Sequence, residues 1–219
     1  MSPYAWIQTS RGRALDLLRP TPADIDLLGE VPDVLARLPR FGGHVSAGCY
    51  SVAQHCTLGA DAILRDPVER ERGAVQLARA FLLHDAHEFA LGEFTTPAVE
   101  ALGAHVGRIS GLGEMGAKVF RGALATLKAD LDAAIYTAAG MPWPLPPDLA
   151  ARVKDWDLRM LLSERRQLMG PAPRHWHPAV EAAEPARIKG RIRIEPWLMA
   201  ADKWRRMCRE LFPHLAAQE

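Results

Sequence analysis

His84 and Asp85 stand side by side near the end of LARAFLLHDAHEF, the most apolar stretch of the chain. A stretch that is apolar almost all round is a buried helix. An imidazole and a carboxylate buried there both need partners. A metal ion supplies one, and this donor pair suits borderline divalent cations such as Mn²⁺, Fe²⁺, Co²⁺ or Zn²⁺. His55 falls in the first turns of the preceding helix, and antiparallel packing of the two helices would bring it beside His84. A fourth donor must come from far along the chain, where VKDWDLRMLLSE offers Asp155 and Asp157 on one helix. Asp157 shares a face with Val153, Met160 and Leu161, so that face points inward. Asp155 has Arg152 and Arg159 at helical spacing and is expected in solvent-facing ion pairs. Asp157 is the better candidate.

The elements that must position these residues are mostly helical. Residues 4–18 read as two short extended stretches around a Gly-containing turn, a β-hairpin. VPDVLARL fits a short helix with proline in its first turn. Residues 39–50, PRFGGHVSAGCY, hold three glycines and form a loop. Ser51 and Gln54 have the spacing of a capping box, which starts a helix carrying His55 that Asp66-Pro67 ends. One helix is expected from about Glu69 to Phe89, ending near Gly92. A proline and a glycine-spaced stretch follow, then helices over about 114–139, 148–169 and 197–212. RIKGRIRIEPW alternates cation with apolar residue and reads as a short C-terminal strand. The expectation is therefore an all-α bundle with a small N-terminal hairpin and a short C-terminal strand. No domain boundary is evident, so residues 1–219 form a single domain.

The ordered segments RFGGH, YSVAQH, LLHDAHEFALGEFTTP and VKDWD together resemble the HD-domain superfamily of metal-dependent phosphohydrolases, and within it the 5′-deoxynucleotidase-like branch. That pattern is H…HD…D, with an Arg before the first His, a Glu three residues after the HD Asp, and an acidic residue and Thr-Pro beyond. The resemblance covers about residues 37–165. It implies an HD-domain helical bundle and one divalent ion (Co, Mn, Fe, Zn or Mg) on His55, His84, Asp85 and Asp157. It implies hydrolysis of a phosphate ester on a nucleotide. It also implies Arg40 on the phosphate, Glu88 in acid–base work, and Glu93 near the sugar, with Thr96 in the Thr-Pro segment. Helical spacing separately puts Glu88 one turn from His84 and Asp85, where a carboxylate can orient water or protonate a leaving oxygen. Arg40 offers a planar fork for phosphate from the glycine loop. Phe41 can pack on a sugar or base, and His44 is a substrate-contact candidate. Two departures stand out: Glu100 takes a place where family members often carry Lys, and Glu93 replaces the commoner Asp. A second phosphate cation would then come from elsewhere, with Arg108, Lys118 and Lys154 as the candidates, or be absent.

Several tempting features read more plainly as structure. Gly111, Gly113 and Gly116 fit GxGxxG, but no strand precedes them. His175 and His177 lie in a proline-rich loop, and His87 points away from His84 by helical geometry. The chain of 219 residues has a formal charge of +1, with 48% apolar and 24% charged residues, so a nucleic-acid backbone is not the expected main partner. A DNA-binding protein using the basic 187–193 stretch, with a vestigial metal site, is the rival of a different class. Cys49, Cys56 and Cys208 form no CxxC pair, and neither a signal pattern nor an apolar run of membrane-spanning length is present. A cytoplasmic enzyme without membrane contact is expected. Its substrate is a deoxynucleotide, most simply a deoxynucleoside 5′-monophosphate giving nucleoside and phosphate. A deoxynucleoside triphosphohydrolase is the runner-up, and a homodimer or higher homo-oligomer stays open.

Overall fold

The computed structural model describes residues 4–217. Strands β1 (Trp6–Gln8) and β2 (Ala14–Asp16) pair antiparallel as the expected hairpin, with Ile7 opposite Leu15. Helices follow in chain order: α1 (Glu30–Leu35), α2 (Val52–Arg65), α3 (Pro67–Glu71), α4 (Ala74–Leu83), α5 (Glu88–Leu91), α6 (Thr96–Ile109), α7 (Glu114–Ala138), α8 (Pro147–Leu168), α9 (Pro178–Glu181), α10 (Trp197–Leu211) and α11 (Pro213–Ala216). One apolar core extends from Leu15 to Phe212. At its centre α4 buries Leu77, Phe81, Leu82 and Leu83 completely. Burying each such side chain contributes roughly 1.5–3 kcal/mol. Among the described residues no helix is long and apolar enough to cross a membrane.

The hairpin is tied to α1 by Glu30, whose side chain is 3% exposed and which accepts from Ser10 Oγ, the Arg11 N–H and Arg13. Burial opposes that charge, yet hydrogen bonds from Arg13, Thr9, Arg11 and Ser10 hold the carboxyl at about 2 instead of 4.5. A depressed carboxyl contributes stability above its unfolded pKa and loses it as pH falls through the folded one. Glu30→Gln should therefore lower the melting temperature at neutral pH, with the difference shrinking as pH drops from about 4.5 toward 2. A difference that does not change across that window would remove Glu30 from the acid response.

Three elements depart from the sequence reading. The expected helix from Glu69 to Phe89 is in pieces: Gly73 takes φ 86° between α3 and α4, and α4 stops at Leu83. Beyond it Ala86 bonds to Leu83, Glu88 to Asp85 and Phe89 to Ala86, all with i→i+3 spacing. The glycine-spaced stretch after Pro97 is a full helix, α6. Its Gly107 lies so close to the start of α7 that an added Cβ would meet the Gly113 carbonyl oxygen at 2.1 Å, and one on Gly116 would meet Gly107 Cα at 2.8 Å. The glycines serve close helix packing, and no dinucleotide loop forms. The third departure is the C-terminal strand, which does not form. Residues 187–195 have their cations exposed and their isoleucines half-buried, but a bend at residues 189–190, with Gly190 at φ 76°, interrupts the segment, and side-chain amides replace a ladder. Gln54 donates to the Arg193 carbonyl and accepts from the Glu195 N–H, and Ile192 N–H donates to Gln167. Half of the anticipated capping box is thereby spent: Ser51 accepts from the Gln54 N–H, while the Gln54 side chain turns to this segment.

Candidate metal centre

Close contact of α2 with α4 is what brings two histidines together. Gly59 lies one turn beyond His55, and a Cβ there would sit 2.1 Å from the Phe81 ring, so only glycine allows this approach. Phe81 in turn stacks near both imidazoles, with ring centroids 5.5 Å from His55 and 4.4 Å from His84. The two Nε2 atoms face each other at 3.4 Å. Each ring is held from behind, His55 Nδ1 against Glu164 Oε1 at 2.6 Å and His84 Nδ1 against the Phe81 carbonyl at 2.6 Å. With Nδ1–H donating in both, the Nε2 lone pairs point at one another.

Two carboxylates close on the same point. Asp85 Oδ2 is 3.2 Å from His84 Nε2 and 3.8 Å from His55 Nε2. Asp157 Oδ1 reaches them at 3.8 and 3.7 Å. Ligands on one ion with bonds near 2.0–2.2 Å lie about 3.0–3.5 Å apart when adjacent; the His55–His84 and His84–Asp85 spacings fall in that range, and the other three are slightly longer. Buried His, Asp and Cys side chains here can hold a metal ion: His55, His84 and Asp157 offer donor atoms within 4.8 Å of one another, as do Cys56, His84 and Asp85. Electrostatics agrees. Burial opposes charge on all of them, yet Asp85 and Asp157 hold His84 well above the usual histidine range, and His84 holds both aspartates well below theirs. Asp155, by contrast, is 65% exposed and only 4.0 Å from Arg159. Arg152 pairs with Glu69 and not with Asp155.

Arg40 is not where the glycine loop was expected to leave it. Only 8% exposed, its Nη1 lies 3.1 Å from Asp85 and its Nε 3.4 Å from Glu164. It belongs to the buried site and not to a loop outside the helical core. The adjoining turn is left-handed at Phe41 (φ 57°), Gly42 and Gly43. Glu93 accepts the Gly42 N–H at 3.4 Å and thereby fastens this turn. Phe41 is half-buried and tilts against Trp176, His44 is exposed, and Thr96 is an exposed first residue of α6. Glu88 is 5% exposed, and its Oε2 has no hydrogen-bond partner. Burial and the charge of Asp85 push its carboxyl up to about 9. His87, expected to point away, is also 5% exposed and donates from Nδ1 to Asp132 at 2.9 Å. His177 caps α9, accepting from the Ala179 N–H.

The positions proposed for a replacement cation fare unevenly. Glu100 pairs with Arg121 across α6 and α7, and Arg108 bonds to His105. Lys154 reaches Asp157 at 3.3 Å. Lys128, unforeseen, is the lysine whose charge acts on Glu88.

Glu164 and Tyr50 were also missed. Glu164 is fully buried and joins His55, Arg40 and the Tyr50 hydroxyl, the last at 2.7 Å. Its signal was its place seven residues, two helical turns, beyond Asp157, on the same inward face. A carboxylate behind a ligating imidazole fixes its tautomer and orientation. Glu164→Gln should weaken Mn²⁺ binding by roughly 10–100-fold, read by calorimetric titration. Unchanged affinity would confine Glu164 to supporting Arg40 and Tyr50.

No protein-family model matches the chain. It is 30% identical over 202 residues to an uncharacterised protein of Rhodobacter capsulatus, covering 90% of this chain and 91% of the other.

Proposed function

The chain belongs to the same family as that Rhodobacter capsulatus protein, and we propose that it is an HD-type metal-dependent phosphohydrolase acting on deoxynucleotides, most simply converting deoxynucleoside 5′-monophosphates to nucleoside and phosphate. The observation that carries this reading is the pair of Nε2 atoms 3.4 Å apart, flanked by Asp85 and Asp157 oxygens. The negative field of these carboxylates favours positive charge at this point. His55, His84, Asp85 and Asp157 are the proposed ligands. A divalent ion held there would acidify a water and offset negative charge on a phosphate oxygen.

The chain's own groups supply the remaining work. Arg40, beside Asp85, meets a phosphate directed at the centre, and Glu164 holds its guanidinium in place. Glu88 keeps its proton at neutral pH and can give it to the departing sugar oxygen. In this reading Phe41, His44, Glu93 and Thr96, from the left-handed turn and the start of α6, would meet the sugar and base. Glu93, anchored by the Gly42 N–H, is the sugar-facing carboxylate of this reading.

The test is a panel of deoxy- and ribonucleoside mono-, di- and triphosphates with Mn²⁺, Co²⁺, Mg²⁺, Fe²⁺ or Zn²⁺. Phosphate, pyrophosphate and triphosphate are followed separately. Phosphate released from deoxynucleoside monophosphates is the expected result. Triphosphate released from deoxynucleoside triphosphates would move the substrate to the longer tail, and no release from any nucleotide would overturn the reading.

A further inference from the structure

Next to the four-donor centre, His87 and Glu88 converge on Asp85: one ligand atom of each of the three lies within 4.8 Å of the others. His87 and Glu88 are each 5% exposed, and His87 Nε2 and Glu88 Oε2 are buried without a hydrogen-bond partner. The other nitrogen of His87 is committed, since Nδ1 donates to Asp132 at 2.9 Å, and this leaves Nε2 as a lone pair. A carboxylate behind a histidine in this way is the usual support of a metal-ligating imidazole. An orphaned lone pair and an orphaned carboxyl oxygen each carry an uncompensated desolvation cost. One cation between them would remove both. Charge points the same way. Glu88 meets the negative fields of Asp85 and Glu93, against Arg40 and Lys128, and Arg40 is already shared with Glu164.

We propose that Asp85, His87 and Glu88 form a second divalent-cation site that shares Asp85 with the first, Asp132 holding His87 in its ligating orientation. The inference rests on reading the first centre as a metal site. An imidazole with carboxylates suits Mn²⁺, Co²⁺ or Fe²⁺. With three protein ligands this site should be the weaker of the two. A carboxylate that ligates a cation has no proton to give, so filling it should slow the hydrolysis assigned to Glu88. Metal would then support activity at low concentration and inhibit at high concentration.

Equilibrium dialysis of the full chain against Mn²⁺ alone reads the stoichiometry directly. Two ions per chain, one tighter than the other, is the expected result for the wild type. His87→Gln and Asp132→Asn should each keep the tighter ion, lose the weaker one by tenfold or more in affinity, and lose inhibition at high Mn²⁺. One ion per chain at saturation would overturn the second site and leave the first standing. No bound ion would overturn both. Two ions with unchanged affinities in both variants would place the second ion elsewhere and refute the assignment to His87.

Discussion

Replacing His84 by Ala should abolish both the tight metal and the phosphate release, because the centre has no spare imidazole. His84 Nε2 lies within 3.8 Å of donors from His55, Asp85 and Asp157, so its loss opens the middle of the cluster. The same outcome is expected for Asp157→Ala, whose oxygen is 3.7 Å from His55 and which reaches the centre from α8. Asp155→Asn is the control two residues away: its side chain is 65% exposed, so metal content and turnover should stay within twofold of wild type. Metal analysis of the three purified variants, with circular dichroism to confirm folding, reads all of this. A loss for Asp155→Asn equal to that for Asp157→Ala would show that the wrong aspartate has been assigned. Retention of metal by a folded His84→Ala variant would remove His84 from the centre.

Glu88→Gln should leave the tight ion in place and reduce turnover by roughly 10²–10⁴, the span for a lost general acid or base. The amide keeps the side chain's size and packing but cannot give up a proton as the carboxyl does. Burial and the neighbouring Asp85 push that carboxyl up to about 9, so in the wild type it is protonated and uncharged at neutral pH and loses its proton on the alkaline side. Wild-type turnover should accordingly fall at high pH, and that limb should vanish in the variant. KM should change little if the proton matters mainly in the transition state. Loss of the tight ion along with activity would instead make Glu88 a ligand of the first centre. Unaltered turnover would leave Glu88 without a catalytic part.

The donors were legible in the sequence because each sits on, or directly after, a helix with a strong apolar period. Val153, Met160 and Leu161 turn Asp157 inward, and an almost wholly apolar α4 delivers His84 and Asp85 to the interior. The later helices were legible for the same reason, and the hairpin from two short extended stretches around a glycine-containing turn. Arg40 was misjudged because a glycine loop carries no periodicity from which to infer burial, and its partners Asp85 and Glu164 lie far away in sequence. The burial of His87 against Asp132 was not legible because α4 ends at Leu83 and i→i+3 bonds follow, so α-helical spacing does not report its surroundings. Glu164 carried a signal in its spacing from Asp157, but a lone glutamate among Ser163, Arg165 and Arg166 reads as a solvated helix face. The basic alternation over 187–193 has a strand's period without a strand. Periodicity reports which side faces the core, while pairing needs a neighbouring edge, and here Gln54 and Gln167 satisfy the backbone instead.

The central claim, a divalent ion held by His55, His84, Asp85 and Asp157 that is needed to cleave a nucleotide phosphate ester, is tested most directly by metal removal and return. The purified chain is analysed for metal, stripped with EDTA, and assayed for phosphate release from deoxynucleoside monophosphates before and after Mn²⁺ or Co²⁺ is restored. Activity should disappear with the ion and return as the tight site refills at one ion per chain. Phosphate release that persists unchanged in the metal-free protein would contradict the account.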